Sequence, residues 1–134
     1  MITLGGYVRA FIAIDVPQVA RQILAETIRE LADQVPGNVR WVAPQGIHLT
    51  LKFLGNTDST LIPSVLDALW NPNLQSLDLH LSLSKFIGVF PNRGNPRIIW
   101  AGLEGNLEKL ARLNSTINAN MKIFGFENES RSFI

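Results

Sequence analysis

A histidine and a threonine stand two residues apart in the segment GIHLTLKFLG, residues 46–55, where polar and apolar side chains alternate. Side chains at i and i+2 of a β-strand project from the same face, so we predict that His48 and Thr50 lie side by side. At a rise of about 3.3 Å per residue their Cβ atoms would be ~6–7 Å apart. An imidazole can exchange a proton near neutral pH, and a hydroxyl can donate to an anionic oxygen. The pair is therefore a candidate for acid–base chemistry on a phosphate ester.

Cleavage of a phosphate diester would use both abilities, and the opening of a strained cyclic phosphate is an example. The reaction needs a base for the attacking water, an acid for the leaving oxygen and donors for the charge that grows on the phosphoryl oxygens. One histidine and one threonine supply part of this set. An isolated H-x-T pair on a strand is more often a solvated polar pair, so the motif needs support from its surroundings.

Composition restricts the classes of protein and of site. The chain has 134 residues, no cysteine, and twelve basic against eleven acidic side chains, for a net charge of +1. Thiol nucleophiles, thiolate metal sites and disulfides are excluded, and a net charge this small provides no broad positive field for nucleic acid. The apolar segment before Asp15 is too short and too interrupted for a signal peptide or a membrane span. We expect one cytoplasmic domain without membrane contact.

Hydrophobic periodicity predicts the elements that must position the motif. An apolar run predicts a buried strand at 8–14, and helical spacing predicts a helix from Pro17 until Pro36 and Gly37. A short strand is possible at 39–42, just before the motif. Thr57 or Asp58 can cap the helix that follows the motif strand.

The second half of the chain repeats the strand-and-helix pattern. Leucines alternate over 77–84, which predicts a strand, and 97–103 is a second apolar strand. Asn106 can cap a long helix that Gly125 ends. We expect the asparagines at positions 114, 118 and 120 to form its wet face.

The stretch VRWVAPQGIHLTLKFLG, residues 39–55, resembles the first signature of the 2H phosphoesterase superfamily. It is most similar to the RNA 2',3'-cyclic phosphodiesterases, also called 2'-5' RNA ligases. RAFIAID before it and GVFPNRGNPRIIWAGL after it continue the resemblance in the same order. The resemblance implies a two-lobed α+β fold with antiparallel sheets flanked by helices. The first lobe would span roughly 1–75 and a partial second lobe roughly 76–134 of the single domain.

The same resemblance implies the chemistry. His48 would be one of two paired acid and base groups, and Thr50 would bind the scissile phosphate, with no metal or other cofactor. The substrate would be RNA or a nucleotide with a 2',3'-cyclic phosphate end, hydrolysed to a 2'-phosphomonoester. The same site could also join ends reversibly through a 2'-5' linkage.

A second H-x-T motif is also implied, a little after a segment resembling Arg131 to Phe133. Superposing the two long helices by their starts, Pro17 onto Asn106, gives an offset of 89 residues and puts a counterpart of His48 near position 137. We therefore expect a chain cut before its C-terminal strands and second half-site. Such a chain would lack either the acid or the base and could be inactive, and its open sheet edge could pair with a second copy.

Three further residues are candidates for substrate binding. Lys52 is predicted on the face of His48, where it could attract phosphate or merely blunt a strand edge. Arg97 at a strand entrance could reach an RNA phosphate or form a structural ion pair. Phe11 could stack on a nucleobase or pack in the core.

Other interpretations of the motif stay open. His80 and Ser82 form an H-x-S, which the leucine alternation favours as a solvent-facing row rather than a second motif. The chain could also be a non-catalytic binder of nucleotides or RNA ends, or a fragment that assembles with itself so that two copies supply two dyads.

Overall fold

The computed structural model describes residues 5–35, 37, 39–75 and 77–127. Within them the chain forms four strands and four α-helices. In chain order these are β1 (Tyr7–Asp15), α1 (Gln18–Gln34), β2 (His48–Asp58), α2 (Ile62–Leu69), α3 (Pro72–Gln75), β3 (Leu81–Phe90), β4 (Ile98–Gly105) and α4 (Leu107–Met121). Single 3-10 turns lie at Pro44–Gly46, Ser59–Leu61 and Lys122–Phe124.

The strands form two antiparallel pairs. In the described part of the chain, β1 pairs with β2 and β3 pairs with β4, each pair as a separate two-stranded sheet. Helix α4 packs against β2 and against α2. This combination of antiparallel sheets and helices confirms the predicted α+β class.

The hydrophobic core lies between the first sheet and α4. Apolar residues recur along α4 at three- and four-residue intervals, and this stripe is buried against the sheet. Leu81 and Leu103 of the second sheet pack against the same cluster. The core therefore supports β2, the strand with the H-x-T motif, from its inner side. Its buried members are Ile12, Leu51, Val65, Leu110, Ile117 and Met121.

The first predicted strand and helix are confirmed. β1 covers the apolar run, and α1 begins directly after Pro17, which takes the N-cap position in an extended conformation. Pro36, half of the predicted helix stop, lies outside the described residues. The short strand expected at 39–42 is wrong: those residues pair with no strand and lead into the Pro44–Gly46 turn.

The third strand begins later than predicted. β3 starts at Leu81, whose ladder partner is Gly105, the last residue of β4. The chain then turns at Asn106, which exchanges two hydrogen bonds with the backbone of His80: Asn106 N donates to His80 O at 2.9 Å, and Asn106 Oδ1 accepts from His80 N at 2.9 Å. β4 therefore has no further residues to pair with 77–80. Asn106 precedes α4 as predicted, but its side chain binds His80 and not its own helix.

Two predicted element boundaries are confirmed. Asp58 Oδ1 accepts from Thr60 N at 2.9 Å and from Thr60 Oγ1 at 2.8 Å, which caps the turn before α2. These hydrogen bonds, the backbone one first, lower the pKa of the Asp58 carboxyl, so their contribution to stability is lost as the pH falls. At the other end, Gly125 has a φ of +89° and ends the last turn with a hydrogen bond from its N–H to Lys122 O.

None of the described helices combines the length and the apolar character needed to cross a bilayer.

Candidate active site

His48 is the first residue of β2, and its imidazole is held by the turn before it. Its Nδ1 lies 3.1 Å from Gly46 O. A carbonyl oxygen only accepts, so Nδ1 carries a hydrogen and donates it. The tautomer of a histidine is set by the hydrogen bond that one ring nitrogen makes. Nε2 is therefore the basic nitrogen of the neutral ring. The His48 side chain is exposed to solvent.

The strand register places Thr50 on the face of His48, as the alternation predicts. His48 is the ladder partner of Asp15 and Thr50 that of Ala13, two positions on the same side of β1. Directly paired residues of an antiparallel ladder project from the same face. The two motif side chains therefore stand on the outer face of the first sheet, away from the core.

Two phenylalanines flank this pair. Phe11 lies two positions before Ala13 on the same face of β1, and its ring centroid is 5.8 Å from that of His48. The Phe53 ring is 6.4 Å from the Phe11 ring. Phe11 is 50% exposed and Phe53 63% exposed. An acid–base group, a hydroxyl donor and two aromatic surfaces thus share one open face.

Lys52 lies on the opposite face, so the prediction that it shares the face of His48 is wrong. The ladder runs from Thr50 opposite Ala13 to Lys52 opposite Ile12, which leaves Leu51 as an extra residue. Such a bulge shifts the alternation by one position. Lys52 consequently turns toward the core and is 2% exposed. Phe53 lies on the outer face, where Lys52 was predicted. A lysine in this position cannot contact a substrate on that face.

The buried Lys52 is held by helix α4 and the chain after it. Its Nζ donates to Asn118 Oδ1 at 2.6 Å and to Glu127 O at 2.8 Å. Asn118 Nδ2 in turn donates to Asn114 O at 3.0 Å and lies 3.1 Å from Asn114 Oδ1. Asn114 Nδ2 donates to Leu51 O, the carbonyl of the bulge, at 2.6 Å. Helix α4 therefore stabilises the bulge directly.

The prediction that these asparagines form a wet face is wrong for Asn114 and Asn118. Both are half-buried and directed at β2. The sequence does carry a signal for this position. The two asparagines are four residues apart and lie next to the apolar stripe of Leu110, Ile117 and Met121, at the border of the face that packs on the core. No comparable local signal indicates that Phe53 joins the site.

The remaining candidates lie elsewhere. Arg97 is exposed at the entrance of β4, where its N–H donates to Phe90 O at 2.8 Å, so it belongs to the second sheet. Its contact with an RNA phosphate stays a prediction. His80 Nε2 lies 2.9 Å from Asp78 Oδ1, and both side chains are 79% exposed. An ion pair this exposed is typical of a surface and supports the solvent-facing interpretation of the H-x-S.

Within the described residues, no group of three or more histidine, aspartate or glutamate side chains is arranged to hold a metal ion.

The chain is similar to known proteins over most of its length. The family model described as LigT like Phosphoesterase matches residues 14–100. The RNA 2',3'-cyclic phosphodiesterase of Archaeoglobus fulgidus is 31% identical over 121 residues, which are 90% of this chain and 65% of that protein. The enzyme of the same name from Thermotoga maritima is 30% identical over 123 residues, 92% of this chain and 64% of the relative.

The fold has a solved counterpart. The crystal structure of TT0787 of Thermus thermophilus superposes with a TM-score of 0.68 at 27% identity, over 87% of this chain and 61% of that one. The chain thus spans 64–65% of the length of these curated relatives. Because the family model covers more than half of the chain and includes the H-x-T strand, the protein belongs to the LigT-like phosphoesterase family.

Proposed function

We propose that the protein acts on RNA ends that carry a 2',3'-cyclic phosphate and hydrolyses them to 2'-phosphomonoesters. Joining of two ends through a 2'-5' linkage would use the same opening of the cycle, with a 5'-hydroxyl in place of water as the nucleophile. The observation that carries the proposal is the open face on which His48, Thr50 and Phe11 stand together. Family membership and the names of the relatives support the substrate class.

The proposed step is an in-line attack of water on the cyclic phosphorus. A new P–O bond forms as the bond from phosphorus to the ribose O3' breaks, leaving the phosphate on O2'. One imidazole takes the proton of water and another gives a proton to O3'. His48 Nε2 supplies one of these functions, and the Thr50 hydroxyl donates to a non-bridging oxygen.

The complementary imidazole is proposed to come from a second H-x-T. We place it in the third of the relatives' length that this chain does not span. The division into a first lobe at roughly 1–75 and a second at roughly 76–134 belongs to the same proposal.

The direct test is to incubate the chain with a short RNA ending in a 2',3'-cyclic phosphate and to follow the phosphorus NMR spectrum. Conversion of the cyclic resonance into a 2'-monoester resonance supports catalysis. A 3'-monoester product contradicts the proposed bond cleavage. A chain that neither binds nor converts this RNA contradicts the proposed substrate.

Non-catalytic binding is the second candidate function. The chain has two histidines, and the other one, His80, lies in an exposed ion pair before β3. The described face therefore offers one imidazole where hydrolysis needs both an acid and a base. Saturable binding of the cyclic phosphate without product would favour this function.

The aromatic pair is expected to supply base stacking. Phe11→Ala should weaken binding of a cyclic-phosphate RNA by about 1–3 kcal/mol, which corresponds to ~5- to 150-fold in Kd. Fluorescence anisotropy with a labelled RNA measures the change. Phe86→Ala is the matched control, because Phe86 is 75% exposed but lies on β3 of the other sheet. Equal weakening by both variants would contradict stacking at the site.

Self-association through sheet edges is also proposed. Each described strand has one ladder neighbour, so each two-stranded sheet leaves backbone groups along its outer edges. The hairpin of β3 and β4 also exposes large apolar side chains, among them Phe86, Phe90 and Ile98. Sedimentation velocity over a range of protein concentrations should therefore detect dimers or larger species. A sedimentation coefficient that stays that of a monomer at every concentration contradicts this expectation.

A further inference from the structure

Arg21 of helix α1 joins three segments around the candidate site. Its side chain is only 14% exposed. Its Nε donates to Val16 O at 2.9 Å, and one terminal nitrogen donates to Pro44 O at 3.2 Å and to Gln45 O at 2.6 Å. The other terminal nitrogen donates to Asp15 Oδ1. Four of the five N–H groups that an arginine has are thereby used.

The partners of Arg21 lie on both sides of His48. Asp15 ends β1 and is the ladder partner of His48. Pro44 and Gln45 directly precede Gly46, whose carbonyl accepts the Nδ1–H of His48. The guanidinium therefore fixes the position of the turn with Gly46 relative to the end of β1.

We propose that Arg21 is a positioning residue for His48. By holding the Pro44–Gly46 turn against the end of β1, it keeps the Gly46 carbonyl on Nδ1, so that Nε2 stays the basic nitrogen. Its role differs from that of an arginine that binds phosphate, because four of its five N–H groups are already engaged and its side chain is largely buried. The consequence for catalysis depends on the proposed function, but the effect on the His48 tautomer does not.

The partners of Arg21 distinguish a positioning role from a simple ion pair with Asp15. One hydrogen bond of Arg21 goes to a carboxylate that is 84% exposed, and three go to backbone carbonyls. Asp15→Asn keeps an acceptor at this position and removes the charge. If the carbonyl contacts hold the turn, Asp15→Asn leaves the His48 tautomer unchanged.

The experiment is a long-range ¹H–¹⁵N NMR spectrum of the 134-residue chain, recorded where His48 is neutral. The wild type should show a protonated Nδ1 and a basic Nε2, whereas Arg21→Met should show a mixture of both tautomers. Arg21→Lys should be intermediate, since an ammonium cannot reproduce the fork geometry of a guanidinium. Arg112→Met is the matched control, because Arg112 is 77% exposed on α4.

The outcomes separate a positioning role from a purely structural one. Circular dichroism shows whether each variant is folded. If Arg21→Met unfolds, Arg21→Lys is the variant that tests the proposal. An unchanged His48 tautomer in a folded Arg21 variant overturns the proposal. If the wild type hydrolyses cyclic phosphate, kcat should fall up to about 100-fold with little change in KM. A wild type without turnover would count against the proposed function only, since the NMR result still decides the role of Arg21.

Discussion

Replacing His48 with alanine is expected to lower the rate of cyclic phosphate hydrolysis by ~10²–10⁴, the typical contribution of one general acid or base. The imidazole donates from Nδ1 to Gly46 O, which leaves Nε2 for proton transfer. Alanine removes this nitrogen and preserves the strand. Phe11 and Thr50 remain on the face, so RNA binding should persist while turnover is lost.

The second histidine of the chain provides the control for this prediction. His80→Ala removes an imidazole that is 79% exposed and paired with Asp78, so hydrolysis should be unchanged. Initial rates are measured by chromatographic separation of the 2'-monoester. The assay uses this chain and, in parallel, a form extended past Ile134, because the relatives are longer. Full activity of His48→Ala in either form would remove His48 from the proposed role.

The second large effect is expected in the buried contact between Lys52 and Asn118. Asn118→Leu removes an acceptor 2.6 Å from Nζ, in a place where the lysine is 2% exposed. Nζ keeps its hydrogen bond to Glu127 O but loses the other partner, and a partner lost in a buried site costs about 1–3 kcal/mol, and more when the group is charged. The free energy of unfolding, measured by urea titration, should therefore fall by about 3 kcal/mol.

Lys52→Met should cost less than Asn118→Leu. The substitution keeps a long flexible side chain and leaves a neutral amide oxygen, not an ammonium group, without its partner. The double variant Lys52→Met, Asn118→Leu replaces both partners with apolar side chains, a change that is often neutral or stabilising, so it should recover most of the loss. Ser115→Leu, an exposed position on the same helix, controls for an added leucine and should change stability by no more than about 0.5 kcal/mol. If the stability change of the double variant equals the sum of the changes in the two single variants, the proposed coupling is contradicted.

The buried contact also has a consequence for the candidate site. The bulge at Leu51 is what turns Lys52 inward and Phe53 outward, and Asn114 donates to the Leu51 carbonyl. The polar side chains of α4 thus stabilise the bulge that places Phe53 next to Phe11 on the outer face.

Local pattern was sufficient for much of the fold. The strand of the motif, the helix after Pro17, the cap at Asp58 and the stop at Gly125 were all predicted, because alternation, caps and left-handed glycines act over a few residues. The same alternation put His48 and Thr50 on one face, and the resemblance of the motif to the family is the basis of the proposed chemistry. Their catalytic roles stay predictions.

The amino-acid sequence by itself therefore determined the α+β class, the family and the pairing of an imidazole with a hydroxyl. Only the tertiary structure decided that Lys52 is buried, that Phe53 replaces it and that Arg21 holds the turn before His48. A bulge depends on which strand lies alongside and which helix packs beneath, and the Arg21 contacts join residues up to 24 positions apart. Strand periodicity reports only the order of polar and apolar residues along one segment, so it cannot show where a partner strand forces an extra residue.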